Sequence, residues 1–244
     1  MANFFKKLFS NELAKISHIA IIMDGNYRYA KSRSLPLILG HKAGVDNIKV
    51  VTNAAIEFNI KYLTLYAFSS ENWQRPKEEV DDLMILLDRY LDNDISDLVK
   101  KGVKLLVSGD LEKLSESSRM KIRDAIEKTK NNNTLVLNIA FSYGARQEII
   151  SAVKKIALAV SNNSIKIDEI NEELFSKNLY QPDIPDPCLL IRTGFDTRIS
   201  NFLLWQIAYT ELYFVKEFWP EFNRNSLKKA IVNFNKRTRK YGKR

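Results

Sequence analysis

The chain has 244 residues, 45% hydrophobic and 27% charged, the proportions of a folded globular protein rather than a disordered or fibrous one. A single cysteine excludes a disulfide framework and fits a reducing compartment, and with only two histidines a structural zinc site is improbable. The net charge of +9 suggests an anionic partner, which nucleic acid, a lipid headgroup or a phosphorylated small molecule would all satisfy.

Residues 1–16 read as an N-terminal arm. MANFFKKLF lacks an apolar stretch long enough for a signal peptide or membrane span, so the protein is expected to be cytoplasmic. Phe4, Phe5, Leu8 and Phe9 beside Lys6 and Lys7 fit either a peripheral contact at the inner membrane face or a packed terminus. Apolar runs then recur at 18–23, 62–67, 103–107, 135–140, 188–191 and 212–215, with helical patterns between most of them. This alternation predicts one α/β domain over residues 1–244, with a mainly parallel central sheet of about six strands flanked by helices. Cys188 falls in one of these runs and reads as core.

The stripe Val45, Ile48, Val51, Ala55 and Phe58 predicts a helix. Pro76, with Glu78 and Glu79 in the first turn, opens another that Gly102 closes. The apolar residues of that second helix, Val80 to Leu91, spread too widely for one stripe. It is either buried nearly all round or flanks an apolar cavity. Phe202 to Tyr209 predict a further helix, and residues 224–244 read as a basic C-terminal helix or tail, solvated by default.

No G-x-x-x-x-G-K-[ST] or G-x-G-x-x-G occurs, which argues against a P-loop hydrolase and a dinucleotide enzyme. Asp92, Asp94 and Ser96 begin like a calcium loop, but Asp97 and Val103 stand where Gly and Glu are needed. Four clusters remain, each following an apolar run or opening a helix: Asp24-Gly25-Asn26-Tyr27-Arg28, Gly40-His41-Lys42-Ala43-Gly44, Phe68 to Pro76, and Ile191 to Asn201. Any one could be surface decoration. All four at the carboxyl end of a parallel sheet would make a site for two anionic groups, with a carboxylate for a hard cation. Trp73, Tyr29 and the broad apolar helix add greasy surface, so the ligand expected is a diphosphate head on a hydrocarbon tail.

MDGNxR at 23–28, GHKAG at 40–44, LTLYAFSSENWxRP at 63–76, IRTG at 191–194 and RxSNFLLWQ at 198–206 resemble the cis-prenyltransferases, in particular the bacterial undecaprenyl diphosphate synthases, along almost the whole chain. The resemblance implies a Mg²⁺-dependent homodimer with a hydrophobic tunnel, which extends farnesyl diphosphate by repeated cis-condensation with isopentenyl diphosphate. The product implied is a long polyprenyl diphosphate, such as the undecaprenyl lipid-carrier precursor for cell-wall glycans. A different product length and a non-catalytic partner subunit of the same fold are the alternatives, and no nucleic acid is expected as a partner.

Matched by position, Asp24 is the metal-binding catalytic carboxylate, and Gly25, Asn26, Arg28 and His41 hold the allylic diphosphate, with Tyr27, Tyr29 and Leu37 beside them. Arg192, Arg198, Ile199 and Ser200 correspond to the isopentenyl diphosphate site. Ser69, Ser70, Glu71, Asn72, Trp73 and Arg75 lie between the substrates, and Glu211 is a second metal-associated carboxylate. A neutral amide is a very weak base, so Asn72 is read as orienting the proton that the departing diphosphate accepts. Ala67, Leu87 and Leu135 are expected to line or floor the tunnel. Five positions depart from the family pattern: Tyr27 stands for Gly, Tyr29 for Trp, Leu37 for Arg, and Phe195-Asp196 for Gly-Glu. The Asp81-Asp82 pair does not complete the DDxxD of trans-type synthases, because Leu83, Met84 and Ile85 follow it.

Overall fold

The computed structural model describes residues 16–238. Strands β1 (His18–Ile22), β2 (Tyr62–Ser69), β3 (Val103–Ser108), β4 (Leu135–Tyr143), β5 (Leu189–Arg192) and β6 (Glu211–Phe214) form one six-stranded sheet in the order β3-β4-β2-β1-β5-β6. Every neighbouring pair is parallel. The apolar runs thus become strands within three residues of the expected places. The unbroken runs at β1 and β5 reflect burial on both faces, since all residues of both strands are buried.

The helices are α1 (Asn26–Ser32), α2 (Leu37–Glu57), α3 (Lys77–Asn93), α4 (Ile95–Lys100), α5 (Glu116–Thr129), α6 (Ala145–Ser161), α7 (Glu172–Lys177) and α8 (Arg224–Asn235). One sheet face carries Ile19, Ile21, Leu63, Leu65, Leu105 and Leu137, packed against residues of α2, α3, α5 and α8. The other carries Ala20, Ile22, Tyr66 and Ala140, packed against Ala145, Phe202 and Leu203. The chain winds from β1 outward through β2, then crosses after β4 to add β5 and β6 on the other side of β1. The winding direction therefore reverses between β1 and β5, the place where an open α/β sheet leaves a crevice at its carboxyl edge.

A buried polar ladder crosses the second face. The His18 ring meets the Pro185 carbonyl through Nδ1 at 2.6 Å and the Thr64 hydroxyl through Nε2 at 2.8 Å. Asn138 Nδ2 donates to Thr64 Oγ1 at 3.5 Å, and Ser108 Oγ donates to Asn138 Oδ1 at 2.8 Å. A neutral imidazole with its proton on Nδ1 satisfies both of its partners.

Three elements differ from the sequence reading. The helix expected from 76 to 100 breaks at Asp94, where the weak helix formers Asp92, Asn93 and Asp94 follow one another, leaving α3 and α4. Residues 202–209 are turns rather than a helix, because Ser200, Asn201 and Leu203 take left-handed backbone conformations. Asn201 also accepts the backbone N–H groups of Ala145 and Arg146, which ties it to the start of α6. The basic stretch from 224 is no solvated tail over its first twelve residues: α8 buries Leu227, Ala230, Ile231 and Phe234. The candidate membrane contact at Phe4 to Phe9 lies outside the described residues. Among the described residues no helix is long and apolar enough to cross a membrane.

Burial lowers the His18 imidazole to about 4, only partly offset by its bond to Pro185. Its folded value lies below the unfolded one, so the unfolded chain binds more protons and stability falls as pH drops from about 6.5 towards 4. The full shift corresponds to about 3 kcal/mol. Urea denaturation at a series of pH values should show this slope, and His18→Gln should lose that part of it. Equal slopes in both proteins would contradict the assignment.

Candidate active site

Asp24 stands just past β1, on the crevice. Its carbonyl accepts the Thr193 hydroxyl at 2.7 Å and the Trp219 N–H at 3.0 Å. Gly25 makes the turn into α1 at φ 115°, a conformation that side chains disfavour. In α2, Gly40 and Gly44 face Asn26 closely: a Cβ on Gly40 would lie 2.4 Å from the Asn26 carbonyl oxygen, and one on Gly44 2.6 Å from the Asn26 amide. The glycines of GHKAG thus let α2 pack onto the start of α1 and carry His41 to the site.

The carboxylate of Asp24 is held from two sides. Oδ1 accepts from Arg28 Nη2 at 2.9 Å, and Oδ2 accepts from Arg192 Nη2 at 2.8 Å. Arg192, the last residue of β5, is buried to 4% exposure. Its Nη1 also donates to Ser200 Oγ at 2.8 Å and to the Arg198 carbonyl. Asp196 completes the cluster by accepting from both terminal nitrogens of Arg198, at 3.0 and 2.8 Å, and from Arg28 at 3.2 Å. Desolvation alone would raise the Asp196 carboxyl, but the guanidinium charges of Arg198 and Arg28 hold it below the usual carboxylate range. Among the described residues, buried polar atoms without a partner include Asn26 Oδ1 and Arg192 Nε, both in this cluster, as expected where a ligand supplies the missing bonds.

At the end of β2, Asn72 Oδ1 accepts the Ser69 N–H at 2.9 Å, and Trp73 Nε1 donates to Ser142 Oγ at 2.9 Å. Arg75 donates to Glu79 Oε1 at 2.8 Å, and His41 Nε2 meets the same oxygen at 3.2 Å. Burial lowers the His41 imidazole against the opposing pull of Glu79. Sequence reasoning took Glu79 only as a favourable charge at a helix start. Its place four residues after Arg75, facing one helix turn back, was the available signal.

A cavity of about 670 Å³ opens on this polar end and runs under α3. Asp24, Gly25, Asn26, Tyr27, Arg28, His41, Ser69, Asn72, Arg75, Arg192, Arg198 and Ser200 line its mouth. Ala67, Leu83, Leu86, Leu87, Leu105, Ile122, Ile139 and Phe141 line its apolar interior. The apolar spread of α3 is thus explained by cavity lining on one flank.

Several expected residues lie off this lining. Tyr29 stacks beneath the Arg33 guanidinium, 4.0 Å from ring centroid to carbon. Leu37 opens α2, and Trp73 packs edge-on to Phe68 behind the lining. Ser70 donates to Glu71, which accepts from Asn201, tying the β2 loop to the β5 loop. Ile199 lies beside the lining residues Arg198 and Ser200 without joining them. Leu135 is buried in the core four residues before the lining residue Ile139, about 13 Å further down β4, so it does not form the cavity wall.

Glu211 lies away from this cluster in its own chain. It is the first residue of β6, in register with Leu189, and its carboxylate pairs with Arg237 at 2.7 Å. Because β6 is parallel to β5, Glu211 sits at the opposite sheet edge from Asp24, about 16 Å away along the strands, and the two cannot share a metal within one chain. Trp205, within the stretch expected to be helical, donates to Ser176 of its own chain at 3.0 Å.

Among the described residues, no group of three or more His, Cys, Asp or Glu side chains forms a metal cage. Magnesium does not require one, since one or two carboxylates with water and substrate phosphates suffice. Asp24, at the mouth of the cavity, fits that donor set.

The arrangement is that of a prenyl diphosphate enzyme: clustered cations at a sheet edge, opening into an apolar cavity. Residues 22–242 match the family described as putative undecaprenyl diphosphate synthase, and the chain belongs to this prenyltransferase family. An isoprenyl transferase of Rickettsia felis is 50% identical, covering 95% of this chain and 96% of its own. A ditrans,polycis-undecaprenyl-diphosphate synthase of Legionella pneumophila, named as specific for (2E,6E)-farnesyl diphosphate, is 46% identical over 92% of this chain and 94% of its own. The crystal structure of lavandulyl diphosphate synthase from Lavandula x intermedia, in complex with dimethylallyl diphosphate, superposes with a TM-score of 0.91 at 34% identity, covering 93% of this chain and 98% of that one.

The α1–α2 contact yields a test. Gly40→Ala should cost about 2 kcal/mol of stability, because the added methyl meets backbone rather than a mobile side chain. An unchanged urea midpoint would show that the helices separate freely.

Proposed function

We propose that this protein is a Mg²⁺-dependent cis-prenyltransferase that extends farnesyl diphosphate with successive isopentenyl diphosphate units to a long polyprenyl diphosphate. The observation that carries this reading is the apolar cavity of about 670 Å³ opening on Asp24, Arg28, Arg192 and Arg198. Arg28, His41, Gly25 and Asn26 bind the allylic diphosphate, and the prenyl tail lies along Ala67 and Leu87. Arg192, Arg198 and Ser200 bind isopentenyl diphosphate. Fixed guanidinium forks match phosphate oxygens pairwise, and their burial strengthens each bond. His41, held by Glu79, lines the head-group end of the site.

Asp24 would hold the magnesium, which when bound would neutralise charge on the leaving diphosphate. A new carbon–carbon bond forms between isopentenyl diphosphate and the first carbon of the allylic chain as diphosphate departs. The departing group takes the proton lost, and Asn72, fixed by the Ser69 N–H, orients that transfer. Tyr27 and Arg75 shape the space between the substrates, and Glu71 and Trp73 support it from behind.

Homodimer formation is part of the proposal. Exposed Leu212 and Phe214 on the edge strand β6, with Ile150, Val153 and Leu158 on α6, support an apolar contact with a second copy. In such a dimer Glu211 would reach a metal only across the interface. A non-catalytic role is disfavoured by the intact Asp24 and arginine cluster.

Incubation with farnesyl diphosphate, labelled isopentenyl diphosphate and Mg²⁺ should give labelled polyprenyl products, whose absence would refute the reading. Asp24→Ala should lower turnover by roughly a thousandfold while circular dichroism shows a folded but less stable protein. Near wild-type rates in saturating Mg²⁺ would remove Asp24 from its role. Ala67→Leu should shift products to shorter chains, whereas an unchanged distribution would place the tail elsewhere.

A further inference from the structure

The arginines of the proposed diphosphate site share a carboxylate that no step of the reaction requires. Asp196 lies on the loop leaving β5. Its Oδ1 accepts from Arg198 Nη1 at 3.0 Å, and its Oδ2 accepts from Arg198 Nη2 at 2.8 Å and from Arg28 Nη2 at 3.2 Å. The same Oδ2 lies 3.7 Å from Arg192 Nη2. One oxygen therefore faces three guanidinium groups, one following β1 and two following or ending β5. Carboxylate and phosphate oxygens meet guanidinium forks with the same geometry, so this oxygen sits where a phosphate oxygen would be best held.

Asp24 differs. Each of its oxygens takes one arginine, and its backbone is pinned by Thr193 and Trp219. Arg198, the fork that Asp196 grips with both oxygens, has 64% side-chain exposure, and Asp196 itself has 27%. Arg192, at 4%, keeps Ser200 and a carbonyl as partners whatever Asp196 does. The pairing that can be exchanged with little disturbance is thus the one Asp196 makes with Arg198 and Arg28.

We propose that Asp196 is a resident counter-anion: it preorganises Arg28 and Arg198 before substrate binds, and an incoming diphosphate must displace it. This inference rests on the diphosphate-site reading. Asp196 then acts as a positioning residue that limits how tightly diphosphate is retained. Removing its charge should tighten diphosphate binding, the opposite of what loss of a substrate contact would do.

Calorimetric titration with inorganic pyrophosphate, in EDTA to exclude metal, separates the cases. Asp196→Asn should bind pyrophosphate about tenfold more tightly than wild type, and Asp196→Glu, which keeps the charge, within about threefold of wild type. In steady state Asp196→Asn should show a lower isopentenyl diphosphate KM and stronger inhibition by pyrophosphate. Equal or weaker pyrophosphate binding by Asp196→Asn, with wild type binding normally, overturns the inference and leaves the diphosphate site standing. Failure of wild type to bind pyrophosphate at all overturns the site reading itself. A crystal structure of wild-type protein with pyrophosphate decides the matter without any variant: Asp196 should have left Arg198, and an intact Asp196–Arg198 pair beside bound pyrophosphate refutes the displacement.

Discussion

A guanidinium buried to 4% exposure must have its charge answered nearby, and Arg192 at the end of β5 is such a group. Asp24 at the end of β1 answers it at 2.8 Å. That pair joins two strands at the point where the sheet reverses its winding, and the rest of the site is arranged around it. Arg28 reaches Asp24 from α1, Thr193 and Trp219 hold its carbonyl, and Asp196 brings in Arg198. Replacing one partner alone would leave a buried charge unmatched, so the pair resists change on grounds of stability as well as chemistry.

The two faces of the sheet divide the work. One face closes over the buried ladder from His18 to Ser108, which fixes four strands in register through hydrogen bonds that a one-residue slip would break. The other face leaves room between β2, β4 and α3, where apolar side chains line a cavity instead of meeting one another. A void of this size carries a cost in lost packing, and that cost is understandable where a hydrocarbon chain fills it. The rigid face supports the strand ends from which the anion site is built.

Much of this was legible in the sequence because parallel strands buried on both faces leave unbroken apolar runs, and because Asp24 and Arg192 follow such runs directly. What escaped depends on contacts distant along the chain. Phe202 to Tyr209 carry a helical pattern, but Asn201 is drawn to the start of α6 and the backbone turns left-handed there. Residues 224–235 read as basic, although four apolar residues at helical spacing among the charges bury in the core. The distance of Glu211 from Asp24 followed from strand direction alone once β6 proved parallel. Glu79 gained its meaning only when α2 brought His41 against it. Asp196 stood out in the sequence as a departure, and its grip on Arg28 required the fold.

The central claim is that the arginine cluster and the apolar cavity serve one molecule, head and tail. A crystal structure with a non-hydrolysable thio analogue of farnesyl diphosphate tests it most directly. The account predicts the diphosphate against Arg28 and His41 with the prenyl chain between α3 and the sheet, passing Ala67 and Leu87. A chain lying outside that cavity, or a diphosphate bound away from Asp24 and Arg28, would contradict it.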